Sequence, residues 1–318
     1  MLPGIYKMDI RLQQLSYSSR LTLHTCPRKY QLYRLSAVPN EDSDPSQSVT
    51  FAYGHIVGAG IQELLQHNQI DRAVWAAFLM WEPDLLDANV KQNKSFFLGL
   101  SAIQRFASLL SNGFMRGWCL YQYKGKPATE LSFIINFPDG FTYKGFVDAV
   151  LVHPDTKEVM VLECKTTAQN YIAAATYKNS AQAIGYSIVL DALFPNLSSY
   201  KVQYLIYKTK ANEFEAMDFE KDYLSRALWI REILLDIEMI KLYEDAEIYP
   251  MHGESCNDFY RECEYMNICT LSTASLSTDL TQLGIDSIHE KNKSDFQINL
   301  SLSDLIAAQL NKEIEATV

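Results

Sequence analysis

The chain has 318 residues, 48% hydrophobic and 21% charged, with 28 Lys and Arg against 38 Asp and Glu for a formal net charge of −10. That length allows one large domain or two ordinary ones with ample apolar material for a core, and the acidic balance excludes a uniformly basic nucleic-acid coat while leaving room for a local basic patch. No run approaches about 20 apolar residues and the start lacks an apolar signal core, so no membrane span is expected and the expected location is the cytoplasm (host cytoplasm for a viral protein).

In chain order, residues 16–35 alternate basic, aromatic and aliphatic side chains; Ser16 or Ser18 caps a helix, and Pro27 belongs near a helix start. Residues 39–47 read as a polar loop. A helix is predicted over 51–66, with Gly54, Gly58 and Gly60 admitting a close neighbour, and further helices over 71–81 and 96–114. The period then changes to two: strands are predicted over 130–137, 141–152 and 159–165, with a turn over 153–158 set by Pro154 and Asp155. A helix over 172–194, a strand over 201–208 and a long amphipathic helix over 218–243 follow. Residues 271–285 read as a Ser/Thr-rich linker, and 302–314 as a short amphipathic helix. The pattern predicts an α/β fold with a mixed central sheet flanked by helices, one domain over 1–270 and a tail over 271–318.

The charge is uneven along the chain. Residues 1–40 hold six basic and one acidic residue, residues 211–270 five basic and fifteen acidic, and the first 210 residues are net +4. This predicts a bipolar molecule, with a basic N-terminal side and the acidic C-terminal side turned away from it or toward a basic partner.

The two central strands carry the chemistry. A four-residue loop over 154–157 gives a pairing sum of 311, which sets Asp148 opposite Glu163, with Lys165 on the same face as Glu163. Facing carboxylates repel unless a cation neutralises them, and a hard divalent ion such as Mg²⁺ or Mn²⁺ suits carboxylate oxygens and phosphate. A lysine beside that ion can stabilise charge developing on phosphorus, or orient and deprotonate an attacking water. The alternative is a solvated strand face with an incidental ion pair.

Six cysteines are too sparse for a disulfide scaffold. Cys26 and the C-x₆-C-x₅-C run of Cys256, Cys263 and Cys269 point to metal or redox chemistry, whereas Cys119 and Cys164 read as buried thiols. Arg20, Arg28, Lys29 and Arg34, interleaved with Tyr17, Tyr30 and Tyr33, read either as phosphate- and base-binding residues or as a snorkelling helix with its tyrosines in the core.

Asp148…Glu163-Cys164-Lys165 resembles the D…(D/E)-x-K core of the PD-(D/E)XK nuclease superfamily. Tyr53-Gly54-His55 and Gln182-x-x-x-Tyr186 resemble elements of its RecB-like branch, which includes AddB-type and CRISPR-associated exonucleases. The resemblance implies a restriction-endonuclease-like core and metal-dependent DNA exonuclease activity in recombination, repair or end processing. It implies a metal held by His55, Asp148, Glu163 and the Cys164 carbonyl, Lys165 as catalytic lysine, and Gln182 and Tyr186, with Arg28 and Lys29, on the DNA. Glu130 resembles an auxiliary acid of some members. In AddB-type proteins one cysteine before the core and three after it hold a [4Fe–4S] cluster, which implies the same for Cys26, Cys256, Cys263 and Cys269, in a cysteine-clamped subdomain built from about 16–35 and 250–270. The commonest spacing there is C-x₂-C-x₅-C, so structural Zn²⁺ is the alternative. Implied partners are linear DNA ends and a strand-annealing protein, helicase or integrase. The rival functions are a catalytically inactive DNA-binding accessory protein and a metal-stapled interaction module.

Overall fold

The computed structural model of the chain describes residues 8–37, 46–81, 94–195, 197, 199–258, 261–276 and 297–307. After a 3₁₀ turn, the elements in chain order begin with β1 (Gln14–Leu15), α1 (Tyr17–Thr25), α2 (Pro27–Arg34), α3 (Ser46–His67), α4 (Ile70–Met80) and α5 (Phe96–Ser111). Next come β2 (Cys119–Leu120), β3 (Gln122–Tyr123), β4 (Lys126–Pro127), β5 (Thr129–Asn136), β6 (Thr142–Val152) and β7 (Val159–Thr167). They are followed by α6 (Ala174–Lys178), α7 (Ala181–Leu193), β8 (Tyr200–Lys208), β9 (Glu213–Lys221) and α8 (Tyr223–Asp245), and finally by β10 (Asn257–Asp258), β11 (Arg261–Glu262) and β12 (Ile298–Ser301). The architecture is the expected one, a mixed sheet with helices on its flanks. No helix among the described residues is long and apolar enough to cross a membrane.

The chain divides into two compact units, the first made of Met1–Ser43, Ser132–Gly145 and Ala227–Val318, the second of Asp44–Leu131 and Phe146–Arg226. This division cuts across the expected domain and tail. Within the first unit β12 pairs in parallel with β5, Ile298 opposite Phe133 and Ser301 opposite Asn136, so part of the expected tail is a strand of the sheet. Of the two predicted tail segments, 277–285 and 308–314 lie outside the described residues, and residues 302–307 are helical.

In the second unit β6 and β7 form an antiparallel hairpin, β8 joins β7 in parallel, and β9 closes on β8 antiparallel. The hairpin turn is set by hydrogen bonds between His153 and Glu158 and from Lys157 N–H to the His153 carbonyl, with Lys157 in the left-handed region at φ 63°. Ala149 then faces Leu162 and Val150 faces Val161, the register expected from a four-residue loop. Helices α3, α4 and α5 cover the sheet through a core that includes Tyr53, Ile56, Ile103, Phe106, Ala149, Leu162 and Leu205. Gly60 allows that packing, because a Cβ there would meet Ile103 Cδ1 at 2.4 Å; Gly54 and Gly58, in contrast, have nothing within 4 Å.

The helix starts follow local chemistry. Ser16 caps α1 in a reciprocal capping box with Ser19, Pro27 occupies the first turn of α2, and Ser95 caps α5. Two segments differ from expectation. Residues 213–221 form β9 rather than the start of a helix, since Phe214, Met217 and Phe219 are partly covered between exposed acids. The helix expected over 172–194 is broken at Asn179 and Ser180, where extended Ser180 starts α7 afresh.

Candidate functional site

The site in the second unit is built on the β6–β7 hairpin. Asp148 Oδ2 accepts from the Cys164 N–H at 2.9 Å, which fixes the Asp148 carboxylate beside β7. Glu163 is only 1% exposed, and its Oε1 lies 2.5 Å from Lys165 Nζ. Lys165 Nζ also donates to Gln182 Oε1 at 3.1 Å, and Gln182 Nε2 donates to the Tyr186 hydroxyl at 2.5 Å. Gln182 and Tyr186, four apart on α7, thus share the face turned to β7. The strand pair and this helix bring five predicted residues into one connected group.

Its electrostatics are those of an under-neutralised acid pair. Burial, then the Glu163 charge, push the Asp148 carboxyl well above the usual carboxylate range. Burial also raises Glu163, with Lys165 and Tyr186 acting in the opposite sense. Burial disfavours the Lys165 ammonium, yet Glu163 and Asp148 outweigh it and hold the lysine charged. The Tyr186 hydroxyl meets the Glu163 carboxylate as well as Lys165 does. Two buried, neighbouring carboxylates, the charge of one bearing on the other, fit a hard divalent cation.

His55 lies exposed on α3. It is two helical turns from Gln62, so both occupy one face. Gln62 Nε2 donates to Glu130 Oε1 at 2.9 Å, and Gln66 donates to Thr129 Oγ1 at 2.9 Å. Glu130, at φ 48°, in turn raises both Asp148 and Glu163. Through Gln62, the helix face that carries His55 meets Glu130. Among the described residues, however, no three His, Cys, Asp or Glu side chains stand close enough to hold a metal ion, so His55 is not drawn into a finished ligand set. Gln62 was not anticipated; its spacing of seven and four from His55 and Gln66 was the available signal.

The cysteines gather in the first unit. Cys26 is buried at the start of α2, and burial and the charges of Cys26, Cys263 and Cys256 all raise the thiol of Cys269. The four thiols thus interact without forming a closed metal shell. Arg28 explains how the ends meet: its guanidinium donates to the carbonyls of Cys269 (2.9 Å) and Leu271 and to Gln31, and its own N–H bonds to the Pro250 carbonyl. These contacts correct the expectation that Arg28 meets DNA, because the side chain is buried and each of its three guanidinium nitrogens bonds inside the protein. Lys29 pairs with Glu264 at 3.4 Å. Buried Arg20 pairs with Asp236, Arg34 bonds to the Arg11 carbonyl, and the Tyr30 hydroxyl bonds to the Leu12 carbonyl. Cys119 is exposed and so is not the buried thiol expected, whereas Cys164 packs against the core and burial pushes its thiol up.

Fold and site together define a nuclease of the D…E-x-K type. Residues 14–270 match the PD-(D/E)XK nuclease superfamily, well over half of the chain, and the protein belongs to that superfamily. Among solved structures, it is similar to a Eubacterium rectale protein described as "Putative exonuclease", at 10% identity and a TM-score of 0.49 over 85% of this chain and 98% of the other. It is also similar to the protein SSO0001, at 14% identity and a TM-score of 0.28 over 80% of this chain and 98% of the other. No curated protein matches it.

Proposed function

We propose that the protein is a metal-dependent deoxyribonuclease that removes nucleotides from DNA ends by hydrolysing phosphodiester bonds, in recombination, repair or end processing. The carrying observation is the buried Glu163 carboxylate, whose charge bears on Asp148 and which pairs with Lys165, the lysine ammonium being tied through Gln182 to Tyr186. Asp148, Glu163 and the Cys164 carbonyl would hold Mg²⁺ or Mn²⁺, with His55 completing the set from α3. A bound divalent ion supplies positive charge next to the scissile phosphate and lowers the pKa of a coordinated water.

The protein's own residues do the rest. Glu163 keeps Lys165 charged, so this lysine suits stabilising negative charge on phosphorus better than removing a proton. Gln182 fixes the lysine's direction, and Tyr186 fixes Gln182. In the first unit, Cys26, Cys256, Cys263 and Cys269 would bind a [4Fe–4S] cluster, with Zn²⁺ as the other four-thiolate option. A chain with no helicase motif would act beside a strand-annealing protein, helicase or integrase.

The test is incubation of the full chain with end-labelled linear DNA and Mg²⁺ or Mn²⁺. Metal-dependent release of mononucleotides by wild type, and none by Lys165→Ala, is expected. No release by wild type, or equal release by the variant, overturns the enzyme reading. Iron, sulfide and zinc analysis of anaerobically purified protein decides the cysteine site.

A further inference from the structure

Helix α8 is apolar on two opposite sides. Trp229, Ile230, Ile233, Ile237 and Ile240 are buried and form its core face. Leu228, Leu235 and Leu242 are 49%, 68% and 63% exposed. Steps of seven residues return to the same helix face with a drift of about 20°, so these leucines form one outward stripe roughly 20 Å long. The helix expected to be amphipathic thus carries a heptad-spaced leucine seam on its outer side, among exposed acids. A helix apolar on both sides is ordinarily covered on both sides, and leucines at this interval are what one helix presents to another.

The flanking charges select the occupant. Arg231 and Glu238 lie on the same side of the stripe, a heptad apart, and both are exposed. Within the chain, Glu238 meets only the neighbouring Lys241, an exposed contact at 2.9 Å, as far as the described residues show, and such contacts contribute little. A parallel pairing of two α8 helices would oppose Arg231 to Arg231 and Glu238 to Glu238. An antiparallel pairing about a two-fold axis at Leu235 stacks Leu235 on its twin and sets Leu228 against Leu242. It also brings Arg231 of each copy within one residue of Glu238 of the other, twice over.

We propose that the outward face of α8 is a self-association surface on which a second copy of this chain packs its own α8 in antiparallel orientation. The leucines and flanking stems would bury on the order of 1,000 Å² in total, the lower end for a specific interface, so the dimer is weak and concentration-dependent. The surface is separate from the acid pair, and its test does not depend on activity.

Sedimentation of the full chain over a range of micromolar concentrations reads the proposal directly. A monomer–dimer equilibrium is expected for wild type, and monomer throughout for Leu235→Glu with an unchanged thermal melt. Arg231→Glu and Glu238→Arg should each weaken the dimer at least several-fold, and the double swap should restore it. Oxidative cross-linking fixes the orientation: Leu235→Cys links to its own copy, whereas Leu228→Cys links to Leu242→Cys and not to itself. Wild type monomeric at all concentrations, a dimer that survives Leu235→Glu, or a double swap no better than the single changes overturns the proposal.

Discussion

Asp148 and Glu163 lie close enough for the charge of Glu163 to bear on Asp148, and the Lys165 ammonium pairs with Glu163. Each carboxyl is raised, so each binds its proton more tightly in the folded chain than in the unfolded one. The sign follows from linkage: that contribution is complete below the ordinary carboxylate range and is lost as pH rises through the folded values. Metal-free protein should therefore melt at lower temperature at about pH 8 than at about pH 5, and Mn²⁺ should restore the loss at the higher pH. Asp148→Asn should flatten the pH dependence in chelator and abolish the Mn²⁺ response, as calorimetry would show. Lys165→Ala should cut turnover by roughly 10²- to 10³-fold, while removing Gln182, which only aims the lysine, should cost less. Gln182→Ala activity equal to that of Lys165→Ala would contradict this ranking.

At the level of elements, the hairpin register was legible because two apolar strands of period two joined by a short Pro-Asp turn admit few pairings. The Gln182–Tyr186 element was legible for a similar reason, since a spacing of four on one helix places both on one face. Strand β9 was not, because Glu213–Lys221 mixes acids with apolar residues in a way that helix and edge strand both tolerate. The role of Arg28 was also hidden: the Cys269 and Leu271 carbonyls that its guanidinium meets lie more than 240 residues ahead. Arg28→Ala should cost about 2–3 kcal/mol through its buried charged hydrogen bonds and open the 250–276 segment to limited proteolysis. The glycines of α3 divide by their neighbours. Gly60→Ala drives a Cβ into Ile103 and should destabilise by about 1–3 kcal/mol. Gly54→Ala meets open space and should gain up to about 1 kcal/mol from helix propensity. Denaturant melts of the pair should move in opposite directions.

For the whole molecule, the predicted separation of a basic N-terminal side from an acidic C-terminal side does not hold. The first unit contains 13 basic and 21 acidic residues and the second 15 and 17, because Met1–Ser43 joins Ala227–Val318 in one unit. Arg20 and Lys29, expected to meet phosphate, meet Asp236 and Glu264 instead. The unit that bears the acid pair is close to neutral, so DNA affinity should show a shallow salt dependence and rest heavily on bound divalent cation. Filter binding of labelled DNA across a salt series, with Ca²⁺ or chelator, measures both.

The division of the chain also orders its birth. Every residue of the second unit lies before Ala227, so the segments that carry the acid pair, Lys165 and Gln182 are all synthesised before most of α8. The first unit waits longer: its opening helices need Asp236, Cys256, Cys263 and Cys269, and β5 needs Ile298–Ser301. Cys26 is therefore made long before Cys256, Cys263 and Cys269, and the four thiols can meet only late in synthesis. A chain cut short before Cys256 carries every residue of the second unit and one of those four thiols.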